Sequence, residues 1–213
     1  EHVTEGEERE NYNLLLELLT PVAKTYPSEM GILSCSAGLQ ILGGYGFCEE
    51  FPLEQLYRDV RIHPIHEGTT GIQGMDLLGR KMTMKKGKAA QLYLAEVRKA
   101  IKEARDDAEL KPFADKLAEA VALLEKVTMH QFGVAAKEGP EMFLADATVY
   151  LEFFGIIAIA WQWLRQATVA QRALASGPGE ADTNFYQGKL AAFRYFFGYE
   201  LPKIQGLSDR LLN

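Results

Sequence analysis

Apolar residues recur at helical spacing along almost the whole of this 213-residue chain, and this pattern constrains the fold more than any other feature. Near the start, five of them fall at i, i+1, i+4, i+5 and i+8 and form one stripe on a helix: Leu14, Leu15, Leu18, Leu19 and Val22. The spacing returns in Leu94, Val97 and Ile101, and again between Phe113 and Thr128. No stretch has the convincing alternation of a strand. The sequence therefore predicts an all-α fold.

Prolines and glycines predict where the first helices end. We expect a first helix to bend or end at Pro21, with a break and restart in the Tyr26–Glu29 stretch. A second helix is then expected to run to about Leu42. Gly43 and Gly44 follow it, and a glycine there can take the left-handed conformation that caps a helix.

Two further helices are expected before the middle of the chain. A short one is predicted around Leu53 to Asp59, between glycine and proline breaks. Another is predicted to begin at a cap formed by Thr69 or Thr70 and to reach about Lys81.

The stretch Met82–Lys88 is the predicted domain boundary, because it is basic, contains a glycine and lacks an apolar stripe. It divides the chain into a first domain, 1–84, and a second, 88–213. Four helices with short connections predict an up-down bundle in the second domain. Its third helix is expected over Glu141–Ala175, and its fourth before Pro202, lined by three apolar residues: Leu190, Phe193 and Phe197.

Composition disfavours several functions. Lys and Arg total 23 and Asp and Glu total 29, so the net charge of −6 offers no basic excess for nucleic acid. Only two cysteines, Cys35 and Cys48, favour a reducing compartment over a disulfide framework. The apolar run Phe153–Leu164 is shorter than the roughly 20 residues of a membrane span, and predicts a buried core helix. The chain lacks an initiator Met and a leader pattern, so we expect a fragment or a processed piece.

Glu67 is the candidate catalytic residue, because it lies on a loop just before a helix start and is followed by Gly68. A loop carboxylate can be aimed into a cleft, where burial raises its pKa towards that of a useful base. The alternative is an acid that the dipole of the following helix stabilises. His63 and His66 are three apart, but the intervening Pro64 and the lack of a third ligand argue against a metal site.

Two other features admit a functional and a structural interpretation. The glycines of Gly43–Gly46 could turn backbone N–H groups towards a phosphate, or they could form a helix cap and turn. Arg58, Asp59 and Arg61 supply charge, and a local ion pair that fixes the loop is the interpretation preferred for Asp59.

The stretch from Gln40 to Gln73 contains an ordered set of motifs: Gln40-x-x-Gly43-Gly44-x-Gly46-Phe47, Glu50-x-Pro52, Arg58-Asp59 and Ile65-x-Glu67-Gly68-Thr69-x-x-Ile72-Gln73. With these motifs the stretch resembles the C-terminal helical domain of acyl-CoA dehydrogenases. Order, spacing and residue type agree over about 34 positions, which makes the pattern specific although each piece alone is weak. The chain also resembles the subgroup with an extra C-terminal helical domain, which includes the 3-methylmercaptopropionyl-CoA dehydrogenases.

The resemblance implies an FAD-dependent oxidoreductase of fatty acid metabolism that acts on an acyl-CoA thioester. Glu67 stands where many members keep the base that removes the α-proton, and its backbone N–H would also donate to the thioester oxygen. Gln40 and Gly44 fall where the family contacts FAD bound mainly to a neighbouring subunit. Thr69 falls where the family contacts the FAD of its own subunit, and Gln73 lies on the same helix start.

The resemblance also identifies supporting residues and departures. Arg58 and Asp59 match the family's structural Arg-Asp pair. Gln55 stands where Lys or Arg is usual, and His66 replaces the commoner Tyr before the base. A charged His66 would lower the pKa of Glu67. Gly71 replaces a polar residue that can contact FAD, so no cofactor role is carried over to it.

No β-domain is present, although the family has an N-terminal helical domain and a middle β-domain. The resemblance therefore implies the C-terminal portion of a larger homo-oligomeric enzyme, with little activity alone and an electron-transfer flavoprotein as acceptor. Its location would be the cytoplasm or the mitochondrial matrix. The alternative function is a non-enzymatic oligomerisation or docking bundle over 88–213, suggested by the aromatic-rich stretch Phe193–Phe197 and by the apolar run. An ordinary bundle core is the favoured interpretation of both.

Overall fold

The structure is a computed structural model that describes residues 5–213. These residues form nine α-helices and no strand, which confirms the predicted all-α class. Residues 1–4, at the start of the first predicted domain, lie outside this description. The helices are α1 (Gly6–Leu42), α2 (Leu53–Val60), α3 (Thr70–Met75), α4 (Met84–Ala104), α5 (Lys111–Glu138), α6 (Pro140–Ala145), α7 (Ala147–Ala175), α8 (Glu180–Tyr195) and α9 (Ile204–Leu211).

Helix α1 is continuous over 37 residues, so the predicted break at Pro21 and Tyr26–Glu29 is wrong. A proline inside a helix costs about 3 kcal/mol or more. Packing offsets this cost, because the apolar stripe is buried on both sides of Pro21: Leu14, Leu18 and Val22. Beyond Pro27, Glu29 accepts a hydrogen bond from Thr70, which ties this end of α1 to α3.

The predicted helix end near Leu42, the short helix and the cap at Thr69 are confirmed, whereas the α-helix predicted to reach about Lys81 ends at Met75. Helix α1 stops at Gly43, whose φ of 58° suits a glycine, and a 3₁₀ turn follows over Gly43–Phe47. Helix α2 occupies the predicted short stretch. Thr69 caps α3, and the chain then continues as a π-turn over Asp76–Arg80 and a 3₁₀ turn over Lys81–Thr83.

The predicted boundary Met82–Lys88 is irregular in the structure. Lys85, Lys86 and Gly87 have φ of 49°, 59° and 84°, so the chain turns left-handed before α4 becomes regular. The parts on either side of this turn pack into one continuous core. The division into domains 1–84 and 88–213 stays a prediction.

The downstream region contains the four predicted helices as α4, α5, α7 and α8, together with the short α6 and α9. The third helix begins at Ala147 and not at Glu141, because Asp146 leaves helical geometry (φ −104°, ψ 24°). The Asp146 carboxylate accepts a hydrogen bond from Arg210 of α9 at 2.6 Å, which supports this break.

Helix α7 forms the centre of the core, where Tyr150, Phe153 and Phe154 are completely buried. By length and composition it could cross a membrane, but 67% of its most apolar window is buried inside the protein, as expected of a core helix. Phe193 and Phe197 are also buried. The interpretation of these aromatic and apolar stretches as an ordinary bundle core is therefore confirmed.

Candidate functional site

Glu67 lies on the loop between α2 and α3, in a strained backbone conformation. Its φ is 54°, in the left-handed region, and Gly68 after it has a φ of 88°. A residue other than glycine in this region costs about 1–3 kcal/mol, and such strain persists only where the surroundings enforce it. The side chain of Glu67 is exposed. The loop thus presents the carboxylate outward on a backbone that must be held in place.

Lys24, at the middle of α1, holds both ends of this loop. Its Nζ donates to the carbonyl oxygen of His63 at 2.8 Å and to that of Gly68 at 2.7 Å. Hydrogen bonds from a charged donor contribute about 1.5–3 kcal/mol each, roughly twice a neutral one. Two such bonds are enough to offset the strain at Glu67.

Two contacts from α3 complete the support of the loop. Gln73 Nε2 donates to the carbonyl oxygen of Glu67 at 3.2 Å, and Thr70 Oγ1 donates to Glu29 Oε1 of α1 at 2.5 Å. The φ of Gly68 favours a glycine, and a Cβ there would lie 2.8 Å from Gln73 Nε2, so the end of the Gln73 side chain would have to shift.

The two histidines of the loop are exposed, and their roles differ. His66 Nδ1 lies 2.9 Å from the carbonyl oxygen of Ile62, which can only accept, so Nδ1 carries the proton. His63 contributes its backbone oxygen to Lys24. Their ring centroids are 5.6 Å apart, and in residues 5–213 no three potential metal ligands come together.

The backbone N–H of Glu67 donates to no protein acceptor within the part of the chain that the structure describes. A peptide N–H beside an exposed carboxylate can donate to a carbonyl oxygen of a bound molecule. One residue thus presents an acceptor for a proton and a donor for an oxygen.

The two residues predicted to contact FAD across subunits lie at the end of α1. Gln40 and Gly44 are both exposed, and no atom lies within 4 Å of where a Cβ of Gly44 would be. The surface at Gly44 is therefore accessible to a group supplied from outside these residues. No hydrogen bond within residues 5–213 joins it to the Glu67 loop.

Thr69 and Gln73, the other predicted cofactor contacts, already serve the loop. Thr69 Oγ1 accepts a hydrogen bond from the N–H of Ile72 at 3.3 Å, which leaves the hydroxyl proton available to a ligand. The Nε2 of Gln73 uses one of its two N–H groups on the carbonyl of Glu67. Its other N–H and its Oε1 stay available to a ligand.

Arg58 and Asp59 are neighbours on α2, and both are exposed. In the described part of the chain neither takes part in an ion pair. Adjacent residues of a helix point in directions about 100° apart, so they do not face each other. The local ion pair preferred for Asp59 is therefore not formed among residues 5–213, and the role of Arg58 and Asp59 as structural support stays a prediction.

A cavity of about 370 Å³ lies behind the loop, between α1, α7 and the turn after α8. Tyr26, Glu29, Thr70 and Glu200 are among the residues that line it. Burial raises the pKa of the Tyr26 hydroxyl to about 12, and the charge of Glu200 acts in the same direction.

Sequence reasoning missed Lys24 and Glu29. They lie 39 to 44 residues before the groups they bind, so no local motif relates them to the loop. The one available signal is that Lys24 interrupts the otherwise uncharged stretch Pro21–Ser28 beside the apolar stripe.

Family models account for both parts of the chain. The model described as acyl-CoA dehydrogenase, C-terminal domain, matches residues 2–83. The model described as acetyl-CoA dehydrogenase C-terminal like matches residues 93–213. The chain belongs to the acyl-CoA dehydrogenase family. The resemblance that the Gln40–Gln73 stretch indicated is thus confirmed.

Individual relatives agree with this membership of the acyl-CoA dehydrogenase family. A 3-methylmercaptopropionyl-CoA dehydrogenase of Ruegeria pomeroyi is 36% identical over 191 residues, which cover 89% of this chain and 32% of the relative. A butyryl-CoA dehydrogenase of Syntrophomonas wolfei is 32% identical over 203 residues, 93% of this chain and 32% of the relative. A caffeyl-CoA reductase–Etf complex subunit of Acetobacterium woodii is 43% identical over 65 residues, 30% of this chain and 17% of the relative. The chain thus spans about a third of the length of the Ruegeria and Syntrophomonas relatives.

Proposed function

We propose that the complete protein is an FAD-dependent acyl-CoA dehydrogenase that forms an α,β double bond in an acyl-CoA thioester, with Glu67 as the base. The observation that carries the proposal is the conformation of Glu67. Its carboxylate and its free N–H are presented together on a strained backbone that Lys24 and Gln73 hold. Family membership supplies the reaction class.

The chemistry assigns two tasks to Glu67. Its N–H donates to the thioester oxygen and stabilises the negative charge that develops there. Its carboxylate takes the α-proton, and the electrons of the broken C–H bond become the new double bond as hydride leaves the β-carbon. FAD, when bound, accepts that hydride. The products are a 2-enoyl-CoA, reduced flavin and a protonated Glu67.

The cofactor contacts proposed for this chain are Gln40, Gly44, Thr69 and Gln73. The open surface at Gly44 and the free hydroxyl proton of Thr69 support them. Because these contacts are few and exposed, we expect the isolated chain to hold FAD poorly and to catalyse little. Tight stoichiometric FAD binding by residues 1–213 alone would contradict this.

The partners are proposed in the same way. The name of the Acetobacterium relative refers to an Etf complex, which supports an electron-transfer flavoprotein as the acceptor. Contact with the FAD of a neighbouring subunit through Gln40 and Gly44 requires a homo-oligomer. The proposed location is the cytoplasm, with the mitochondrial matrix as the alternative.

The test is Glu67→Gln in the complete, FAD-loaded protein, with butyryl-CoA as the probe because a relative bears that name. Glu119→Gln, at an exposed position of α5, is the matched control. Stopped-flow flavin absorbance is expected to show reduction slowed about 10²- to 10⁴-fold in Glu67→Gln only, with FAD content unchanged. Flavin reduction at the wild-type rate in Glu67→Gln would remove Glu67 from this role.

A further inference from the structure

Among the described residues, Lys24 is the one side chain that donates hydrogen bonds to two backbone carbonyl oxygens of the Glu67 loop. It reaches from the middle of α1 to two carbonyl oxygens on either side of Glu67, those of His63 and Gly68, at 2.8 and 2.7 Å. These oxygens belong to residues five apart in the sequence, so one ammonium group fixes the width of the loop. A backbone hydrogen bond from Thr70 N to the carbonyl oxygen of Pro64, at 3.2 Å, closes the same stretch.

From this arrangement we infer that Lys24 is a positioning residue for the proton abstraction: it sets the backbone of Glu67, and hence the direction of its carboxylate and N–H. The inference rests on the proposed function. Lys24 donates only to backbone oxygens among the described residues, so it acts through the loop and touches no reacting atom.

The chemistry of the contact explains why a lysine suits this place. An ammonium group has three donors arranged around one nitrogen, so it can bond two carbonyls that converge on a point. A guanidinium has a planar fork of donors, which can reach the carbonyls but with a different geometry. A methionine fills a similar volume and donates nothing. Comparing lysine, arginine and methionine at position 24 therefore distinguishes the effect of the hydrogen bonds from the effect of packing by the alkyl part of the side chain.

The rate of proton abstraction depends strongly on where the Glu67 carboxylate lies relative to the bound substrate. A displacement of about 1 Å in a reacting group can cost about a hundredfold in rate, even when the substrate still binds. Lys24→Met is therefore expected to lower kcat about ten- to hundredfold while KM, FAD content and flavin absorbance stay close to wild type. Lys24→Arg is expected to lose less, because it retains donors.

The experiment uses the complete FAD-loaded protein and compares Lys24→Met and Lys24→Arg with Lys126→Met, an exposed lysine of α5. Hydrogen–deuterium exchange of peptides covering 61–69 gives a readout separate from activity. The expected result is faster exchange in this loop and a reduced kcat in Lys24→Met only, with partial recovery in Lys24→Arg.

The inference is overturned if Lys24→Met matches Lys126→Met in either loop exchange or kcat. If Lys24→Met loses FAD or fails to fold, Lys24→Arg decides: reduced kcat at wild-type KM and melting temperature supports positioning, and unchanged kcat overturns it. Glu67→Gln in the same assay tests the proposed function separately. If Glu67→Gln reduces flavin normally, the proposed function fails whatever the Lys24 variants do.

Discussion

Two regions of this molecule bury their apolar side chains very differently. In the bundle, residues 84–213, helices α4, α5, α7 and α8 surround a dense core in which Phe153 and Phe154 are completely buried. In the loop-bearing segment, residues 26–76, all of which are described, Pro64 is the one buried apolar side chain, and no Ala, Val, Leu, Ile, Met or aromatic side chain is buried. Ten large apolar side chains of this segment are exposed: Leu33, Ile41, Tyr45, Phe47, Leu56, Tyr57, Ile62, Ile65, Ile72 and Met75.

The difference shows that the two regions obtain their stability in different ways. Burial of apolar area stabilises the bundle directly. The loop-bearing segment depends on polar contacts at a few places, such as Lys24 with its two carbonyls and Glu29 with Thr70. Its exposed apolar surface includes the stretch where the proposed FAD contacts lie. We interpret the segment as a surface for other parts of the complete protein.

The largest expected effect comes from truncating a buried phenylalanine of the bundle, and an exposed phenylalanine of the loop-bearing segment is the comparison. Phe154→Ala leaves a cavity in the core and is expected to lower the free energy of unfolding by about 3–5 kcal/mol. Phe47→Ala, at a side chain that is 91% exposed, is expected to change it by less than about 0.5 kcal/mol. Urea unfolding of residues 1–213, followed by circular dichroism, measures both. Equal losses would mean that the loop-bearing segment has a core of its own.

The bundle could be predicted from sequence because its helices carry a local signal. Helical spacing and burial agree along α4, α5 and α7, where most of the predicted apolar residues are buried, while Leu94 and Phe113 are half-buried at the edge of the core. The break at Asp146 was missed because it depends on a contact with Arg210, 64 residues away. Local periodicity does not contain such information.

In the loop-bearing segment, the motif was more informative than the apolar periodicity. Its motif from Gln40 to Gln73 was specific enough to indicate the family, although apolar periodicity is weak there, and the role of Glu67 stays a prediction. The continuity of α1 through Pro21 and Pro27 could not be predicted, because tertiary packing offsets the local cost of proline. Nor could the contacts of Lys24, which depend on how α1 lies against the loop.

A second, smaller effect is expected where the two regions meet. A Cβ at Gly74 of α3 would lie 2.7 Å from the carbonyl oxygen of Ala147 at the start of α7, and backbone cannot move aside as a side chain can. Gly74→Ala is therefore expected to lower the free energy of unfolding by about 1–3 kcal/mol.

Gly71→Ala, one turn earlier in the same helix, is the matched control. Its nearest neighbour would be Thr69 Oγ1 at 3.8 Å, an ordinary contact. Alanine is the better helix former, so this variant is expected to gain up to about 1 kcal/mol. The same urea unfolding experiment measures both variants, and opposite signs are the expected result. A shared sign would show that α3 does not pack against α7 as closely as the structure indicates.

The smallest effect concerns Tyr26 of the loop-bearing segment, which lines the same cavity as Glu200 of the turn after α8. Burial, helped by Glu200, raises the pKa of its hydroxyl from 10.0 to about 12. Between these values the folded protein keeps a proton that the unfolded chain loses. Tyr26 therefore contributes stability that is complete below pH 10 and disappears as the pH rises through 12.

Tyr26→Phe should remove this contribution. The free energy of unfolding of this variant should therefore fall less steeply between pH 10 and 12 than that of the wild type. Tyr93 and Tyr150, whose pKa values burial also raises, are present in both proteins, so the difference between the two slopes isolates Tyr26.

Tyr199→Phe, at a side chain that is 67% exposed, is the matched substitution. Its free energy of unfolding should keep the wild-type slope against pH. Equal slopes in all three proteins would mean that water reaches the Tyr26 hydroxyl, and that the two regions are less closely packed at this cavity than at Gly74.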